Sequence, residues 1–204
     1  MPSINIAIIA VTCIITYVGW QNQVFLRRFM LKPYQNIRNN EWINLISSGF
    51  LHADAMHLLF NMLALFFFGD EVLNVFLIKY GLFVGNFLFV LFYITAIFFA
   101  NIYPTIKNKD NKMYSAFGAS GAVSAILYFF IILNPWHNIY IYFIKMPAIV
   151  FGILYLVFET VMAKRAKDNI GHDAHISGAI YGIIVVFIFF WKEGISFFEK
   201  IINY

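Results

Sequence analysis

Six apolar runs, parted by short clusters of charge, restrict this chain more than any other feature of it. They lie at residues 4–20, 55–68, 82–103, 116–133, 146–163 and 174–191. Backbone N–H and C=O groups in lipid find no water, so segments this apolar must satisfy them internally, and at this length only a helix does so. The expected fold is an all-α integral membrane protein, a bundle of six transmembrane helices. Composition agrees: 62% of the 204 residues are hydrophobic and 12% charged, with a mean hydropathy of +0.77, where soluble domains run at about 45–50% apolar and about 25% charged. The lipid bilayer is therefore a partner, and no nucleic acid is expected.

The first run, "INIAIIAVTCIITYVGW", lacks a basic n-region and a small-residue cleavage site, so it reads as a retained helix rather than a signal peptide. Cys13 lies within it as the sole cysteine, which rules out a disulfide framework and a cysteine metal site. The second run, 14 residues long, falls short of the roughly 20 that cross about 30 Å of hydrocarbon. That helix must borrow turns from its polar flanks or sit where the bilayer is thin. Residues 21–54 form the longest connection, with Trp20, Phe25, Phe29 and Trp42 interleaved among Arg27, Arg28, Lys32 and Arg38, a mixture suited to the headgroup region. The stretch "NPWHNIYIYFIK", 134–145, is a second aromatic-belt candidate. With no internal repeat and no low-complexity tract, residues 1–204 read as one domain.

Helix direction alternates, so the N-terminal ends of the second, fourth and sixth helices emerge on one side of the membrane. Those ends carry His52, His57 and Asn61 in "HADAMHLLFNM", Ser120 in "SAFGASGAVSA", and His172 and His175 in "GHDAHISGAIYG". At 1.5 Å of rise per residue, Ser120, His57 and His175 lie on the order of 5–10 Å inside their helix ends. Small residues indicate which faces meet. Gly178, Ala179 and Gly182 share the face of His175, and Gly118, Gly121, Ala122 and Ala125 run beside Ser120 and Ser124; such stripes let helix backbones approach in lipid.

The residue types suit nucleophilic catalysis. A serine hydroxyl needs a base within hydrogen-bond reach, which makes Ser120 the candidate nucleophile and His175 the candidate base. Attack on a carbonyl develops an oxyanion that needs fixed donors, and His57 and Asn61, four apart on one helical face, can supply them together with backbone N–H groups at the start of the fourth helix. Several polar groups gathered at one depth in a membrane are a functional-site hypothesis by default. No cofactor and no metal are expected.

The "GASG" serine, the A-H-x-x-G-x-x-x-G pattern of "AHISGAIYG" and the H-x4-H-x3-N pattern of "HADAMHLLFNM", in this order on these helices, resemble the rhomboid family of intramembrane serine proteases. The phrases "EWINLISSGFLHAD" and "DNIGHDAHISGA" look like bacterial, Bacteroidetes-type members. The resemblance implies a Ser-His dyad endopeptidase of the bacterial inner membrane that cleaves transmembrane segments of other proteins, with Ser120 as nucleophile, His175 as base and acid, and His57 with Asn61 in the oxyanion hole. It implies no third carboxylate, and it makes the long first connection a membrane-embedded hairpin beside the site. The rival expectations are a non-proteolytic rhomboid-like binder of membrane proteins and a small transporter.

Among the remaining residues, His52 reads as a structural pin for the first loop, His172 as a solvated helix-end group, Ser124 as a packing or back-bonding serine, and Glu159 with Thr160 as interfacial. Asp173 reads as an acidic residue favoured at a helix N-terminus. Lysine and arginine number ten in the loops on the site's side (27, 28, 32, 38, 107, 109, 112, 164, 165, 167) and four on the other (79, 145, 192, 200). The positive-inside rule puts the richer side in the cytoplasm, whereas the family resemblance implies an outward-facing site.

Overall fold

The polar break after Phe68 does not end the second transmembrane helix. In the computed structural model, which describes residues 3–141, 143–165 and 170–203, the chain runs through α1 (Ile4–Gln21), α2 (Gln23–Phe29), α3 (Pro33–Asn39), α4 (Asn44–Ser47), a 3-10 turn (Ser48–Phe50), α5 (Ala55–Tyr80), α6 (Leu82–Lys107), α7 (Ser120–Leu133), β1 (Asn138–Ile141), β2 (Ile144–Pro147), α8 (Ala148–Arg165), α9 (His172–Phe189) and α10 (Trp191–Ile202). The second apolar run, expected at 55–68, thus belongs to a helix of 26 residues, about 39 Å long. It continues through Asp70 because α1 covers the break: Ser3 Oγ donates to Asp70 at 2.7 Å and Asn5 Nδ2 donates to the Leu65 carbonyl at 3.0 Å. Gly69 leaves room for the Asn5 amide. Gly81, with φ +77°, makes the turn into α6.

Among the described residues, four helices are long and apolar enough to cross a membrane: α1, α5, α6 and α9. The protein is a multi-pass integral membrane protein. The other two expected spans differ. The run at 116–133 becomes helical only at Ser120, and α7 has 14 residues, about 21 Å of rise. The run at 146–163 gives α8, which carries Glu159, Lys164 and Arg165. The last run ends in α9 at Phe189, and α10 follows as an amphipathic helix that hydropathy did not separate from the tail.

The short α7 is the centre of the molecule. Every residue from Gly121 to Leu133 is buried, enclosed by α5, α6, α8, α9 and α10. A helix shielded from lipid on all sides need not match the roughly 30 Å of hydrocarbon thickness. Aromatic packing fills the far half, where Phe76, Phe92, Phe129 and Phe190 meet edge to face or stacked.

The aromatic stretch 134–145 folds into an antiparallel hairpin, Ile139 opposite Met146 and Tyr140 opposite Lys145. Its tip exposes Phe143 fully, and Trp136 Nε1 donates to the Lys200 carbonyl of α10 at 2.7 Å. Tyr142 of that stretch and Lys167 of the charge count lie outside the described residues.

Candidate active site

Two glycine contacts set the geometry. A methyl group at Gly178 of α9 would overlap the carbonyl oxygen of Gly121, and one at Gly182 would overlap that of Ala125. The backbones of α7 and α9 therefore touch along the expected small-residue stripe. At one end of the seam a Cβ at Gly121 would come within 3.3 Å of the Ala174 carbonyl oxygen, so Ser120, just before Gly121, and His175, just after Ala174, flank this contact on the two facing helices. Ser120 is half-buried and His175 is 9% exposed. No hydrogen bond joins them among the described residues.

The segment leading into Ser120 is held by the first loop. Leu31 and Ala116 exchange both backbone hydrogen bonds, at 2.9 and 3.0 Å, and the Gly118 N–H donates to the Ser48 carbonyl at 2.9 Å. Ser48 is itself tied to α6, since Asn101 Nδ2 donates to its hydroxyl at 3.2 Å and to the Leu45 carbonyl at 2.9 Å. His52 completes the clasp. Its Nε2 accepts the Ala119 N–H at 3.3 Å and its Nδ1 lies 3.0 Å from Thr16 Oγ1, which donates to the Phe50 carbonyl at 3.0 Å. An Nε2 that accepts leaves the ring proton on Nδ1. Burial, aided by repulsion from His57 and opposed by Asp54, pushes the His52 pKa down to about 3, so the ring is neutral at any physiological pH.

α5 delivers the other candidates. Asp54 caps it, accepting the His57 N–H at 2.8 Å, which starts the helix just before that imidazole. Gly118 has φ +147°, and a Cβ there would lie 2.7 Å from His57 Cε1, 2.9 Å from its Nε2 and 3.7 Å from Ser120 Oγ. The missing side chain lets the imidazole pack against the Gly118 backbone, next to the serine hydroxyl. Asn61, 6% exposed, gives one amide proton to the His57 carbonyl at 2.9 Å, and its second remains available. α7 has no side-chain cap, so the backbone N–H groups of its first turn, from Ser120 to Ala122, have no intrahelical partner.

The reading of Glu159 as interfacial is wrong. Its side chain, on α8, is 3% exposed and stands between two histidines of α9. His172 Nδ1 lies 2.6 Å from Oε2 and His175 Nδ1 lies 3.1 Å from Oε1, the latter without the alignment of a hydrogen bond. His172, expected as a solvated helix-end group, is 4% exposed. Two histidines three apart on one helix face, opposite an acidic residue in an apolar helix, were the signal that could have found this cluster. The three donor atoms lie within 4.8 Å of one another, a spacing at which a divalent cation could be held, and the 2.6 Å hydrogen bond takes up one of the two carboxylate oxygens. Ser124 does not bond back along its own helix; its hydroxyl meets Tyr155 Oη of α8 at 3.0 Å. Asp173 sits in the first turn of α9 and pairs with Lys107 at 2.7 Å.

A family model described as the rhomboid domain matches residues 39–192. RHOMBOID-like protein 12, mitochondrial, of Arabidopsis thaliana is 30% identical over 181 residues, covering 82% of this chain and 53% of that protein. The chain thus spans about half the length of the curated relative it matches. The matched residues take in all of α5, α7 and α9, and the chain belongs to the rhomboid family.

Proposed function

We propose that this protein is an intramembrane serine endopeptidase that cleaves transmembrane segments of other membrane proteins, within a six-span bundle in which α7 and α8 complete the crossing helices. The observation that supports the reading best is the contact of α7 with α9 through Gly121 and Gly178, with the His57 ring packed against Gly118 near Ser120 Oγ. Rhomboid proteins are in general serine proteases of the membrane.

In this mechanism a substrate helix presents an unwound carbonyl to Ser120 Oγ. His175 takes the Ser120 Oγ proton as the oxygen attacks the carbonyl carbon. The oxyanion is met by the Asn61 amide, the His57 ring and the free N–H groups of the first turn of α7, donors fixed before the reaction begins. His175 then protonates the departing amine, and a water repeats the cycle on the acyl-enzyme. The 14-residue α7 is short enough for its start to lie within reach of water entering from the surface.

Fluorophosphonate labelling of the protein in membranes, with cleavage of a model transmembrane substrate, tests the reading. Both are expected in the wild type and neither in Ser120→Ala. A wild type that is neither labelled nor active would leave the non-proteolytic binder as the better account.

A further inference from the structure

The dyad leaves one strongly polar group of the bundle unused, the Glu159 carboxylate. Burying a carboxylate is costly unless it is paired and hydrogen-bonded, and here its two oxygens are divided between two imidazoles, 2.6 Å from His172 Nδ1 and 3.1 Å from His175 Nδ1. Tyr155, one helical turn before Glu159, lies against the same His175 ring with centroids 6.3 Å apart and an interplanar angle of 28°. Its hydroxyl is fixed to Ser124 of α7. α8 thus sets one acceptor and one aromatic plate against the candidate base.

We propose that Glu159 is a positioning residue for the Ser120–His175 pair: its carboxylate holds His175 in the Nδ1–H tautomer, leaving Nε2 unprotonated to receive the Ser120 proton, while His172 anchors the carboxylate. The role presupposes the protease reading above. A neutral imidazole carries one N–H and one lone pair, and an ionised carboxylate can only accept. Placed beside Nδ1, it selects the proton there against the Nε2–H form that a free histidine prefers. As Oγ bonds to the carbonyl carbon, the π pair moves to oxygen and the Oγ proton moves to Nε2; Nδ1 keeps its own proton. The imidazolium then faces the carboxylate until the C–N bond breaks and the amine leaves with the Nε2 proton. The resting contact lacks hydrogen-bond alignment, as catalytic contacts often do before charge develops, and the new positive charge supplies the attraction that aligns it. Asp173 is unsuited to the task, being paired with Lys107.

Nitrogen-15 NMR of the His175 ring in detergent micelles at alkaline pH, assigned by its loss in His175→Gln, reads the tautomer directly. The wild type is expected to show Nδ1–H. Glu159→Leu, which removes the acceptor, is expected to show mainly Nε2–H and to lose about 10²- to 10⁴-fold in kcat, as wrong-tautomer variants of serine proteases do, with KM unchanged. An Nε2–H ring in a cleaving wild type overturns the role alone, and so does a folded Glu159→Leu that turns over at the wild-type rate. Should that variant not fold, the wild-type spectrum decides by itself. A wild type without Ser120-dependent cleavage overturns the protease reading and this role with it.

Discussion

The carbonyl oxygen of Gly121 occupies the space a side chain on Gly178 would need. This contact makes the distance between α7 and α9 a property of two backbones rather than of side chains that could repack, and it fixes Ser120 relative to His175. Gly178→Ala is therefore expected to spread the helices, costing about 1–3 kcal/mol as overpacking does, and to reduce cleavage more than stability alone explains. Thermal unfolding in detergent and cleavage of a model substrate below the melting range would check both. Unchanged activity in Gly178→Ala would show that the seam does not set the site.

The proposed roles predict graded losses. Ser120→Ala and His175→Ala should abolish turnover. Asn61→Ala should lower kcat by roughly 10- to 1000-fold, the range for one oxyanion donor among several, with substrate binding kept. Kinetics in reconstituted vesicles separate the two. If Asn61→Ala has no effect while a folded His52→Ala is inactive, the oxyanion donors have been assigned to the wrong residues of α5.

Much of this arrangement was legible because lipid simplifies the reading. Apolar runs located the helices, parity put the ends of α5, α7 and α9 on one side, and glycines at helical spacing indicated the face of α9 that meets α7. Hydropathy failed where it was asked for boundaries. Asp70 and Glu71 lower the local hydropathy yet sit inside α5, since Ser3 and Asn5 of α1 satisfy the polar break. Glu159 was misread for the opposite reason: a carboxylate near a helix end resembles an interfacial residue until its partners, His172 and His175 on another helix, are known. The hairpin at 138–147 and the amphipathic α10 were hidden because an aromatic belt and a charged tail have the same composition as the elements they turned out to be.

His52 predicts an acid limit to stability. Its folded pKa, about 3, lies below the ordinary histidine value, so between the two the unfolded chain binds the extra proton and stability rises with pH. The contribution is present above pH about 6.5 and is lost as pH falls toward 3, with a slope of at most about 1.4 kcal/mol per pH unit for one group. His52→Gln, which does not titrate, should flatten that part of the profile. His52→Leu leaves the Ala119 N–H without its acceptor and should cost about 1–3 kcal/mol at neutral pH. Melting temperature against pH for the three proteins is the measurement; parallel profiles for wild type and His52→Gln would remove His52 as the source.

Gly118 offers the sharpest test of how His57 is packed beside Ser120. Its φ of +147° suits glycine alone, and an added methyl would stand 2.7–2.9 Å from the His57 ring, closer than unbonded atoms tolerate. The ring would have to turn away, and with it the donor proposed for the oxyanion. The N–H of Gly118 is bound to Ser48, so the loop cannot move aside without breaking the clasp that holds Ala119 as well. Gly118→Ala is therefore expected to keep the fold, since the strain is confined to one loop residue and costs on the order of 1–3 kcal/mol. Turnover should fall at least 10-fold. Fluorophosphonate labelling of Ser120 should slow with it, because the phosphonyl oxygen needs the same donors as the carbonyl oxyanion. A variant that folds, labels at the wild-type rate and cleaves normally would mean that the oxyanion forms elsewhere and that the bare backbone at Gly118 serves only the packing of the loop.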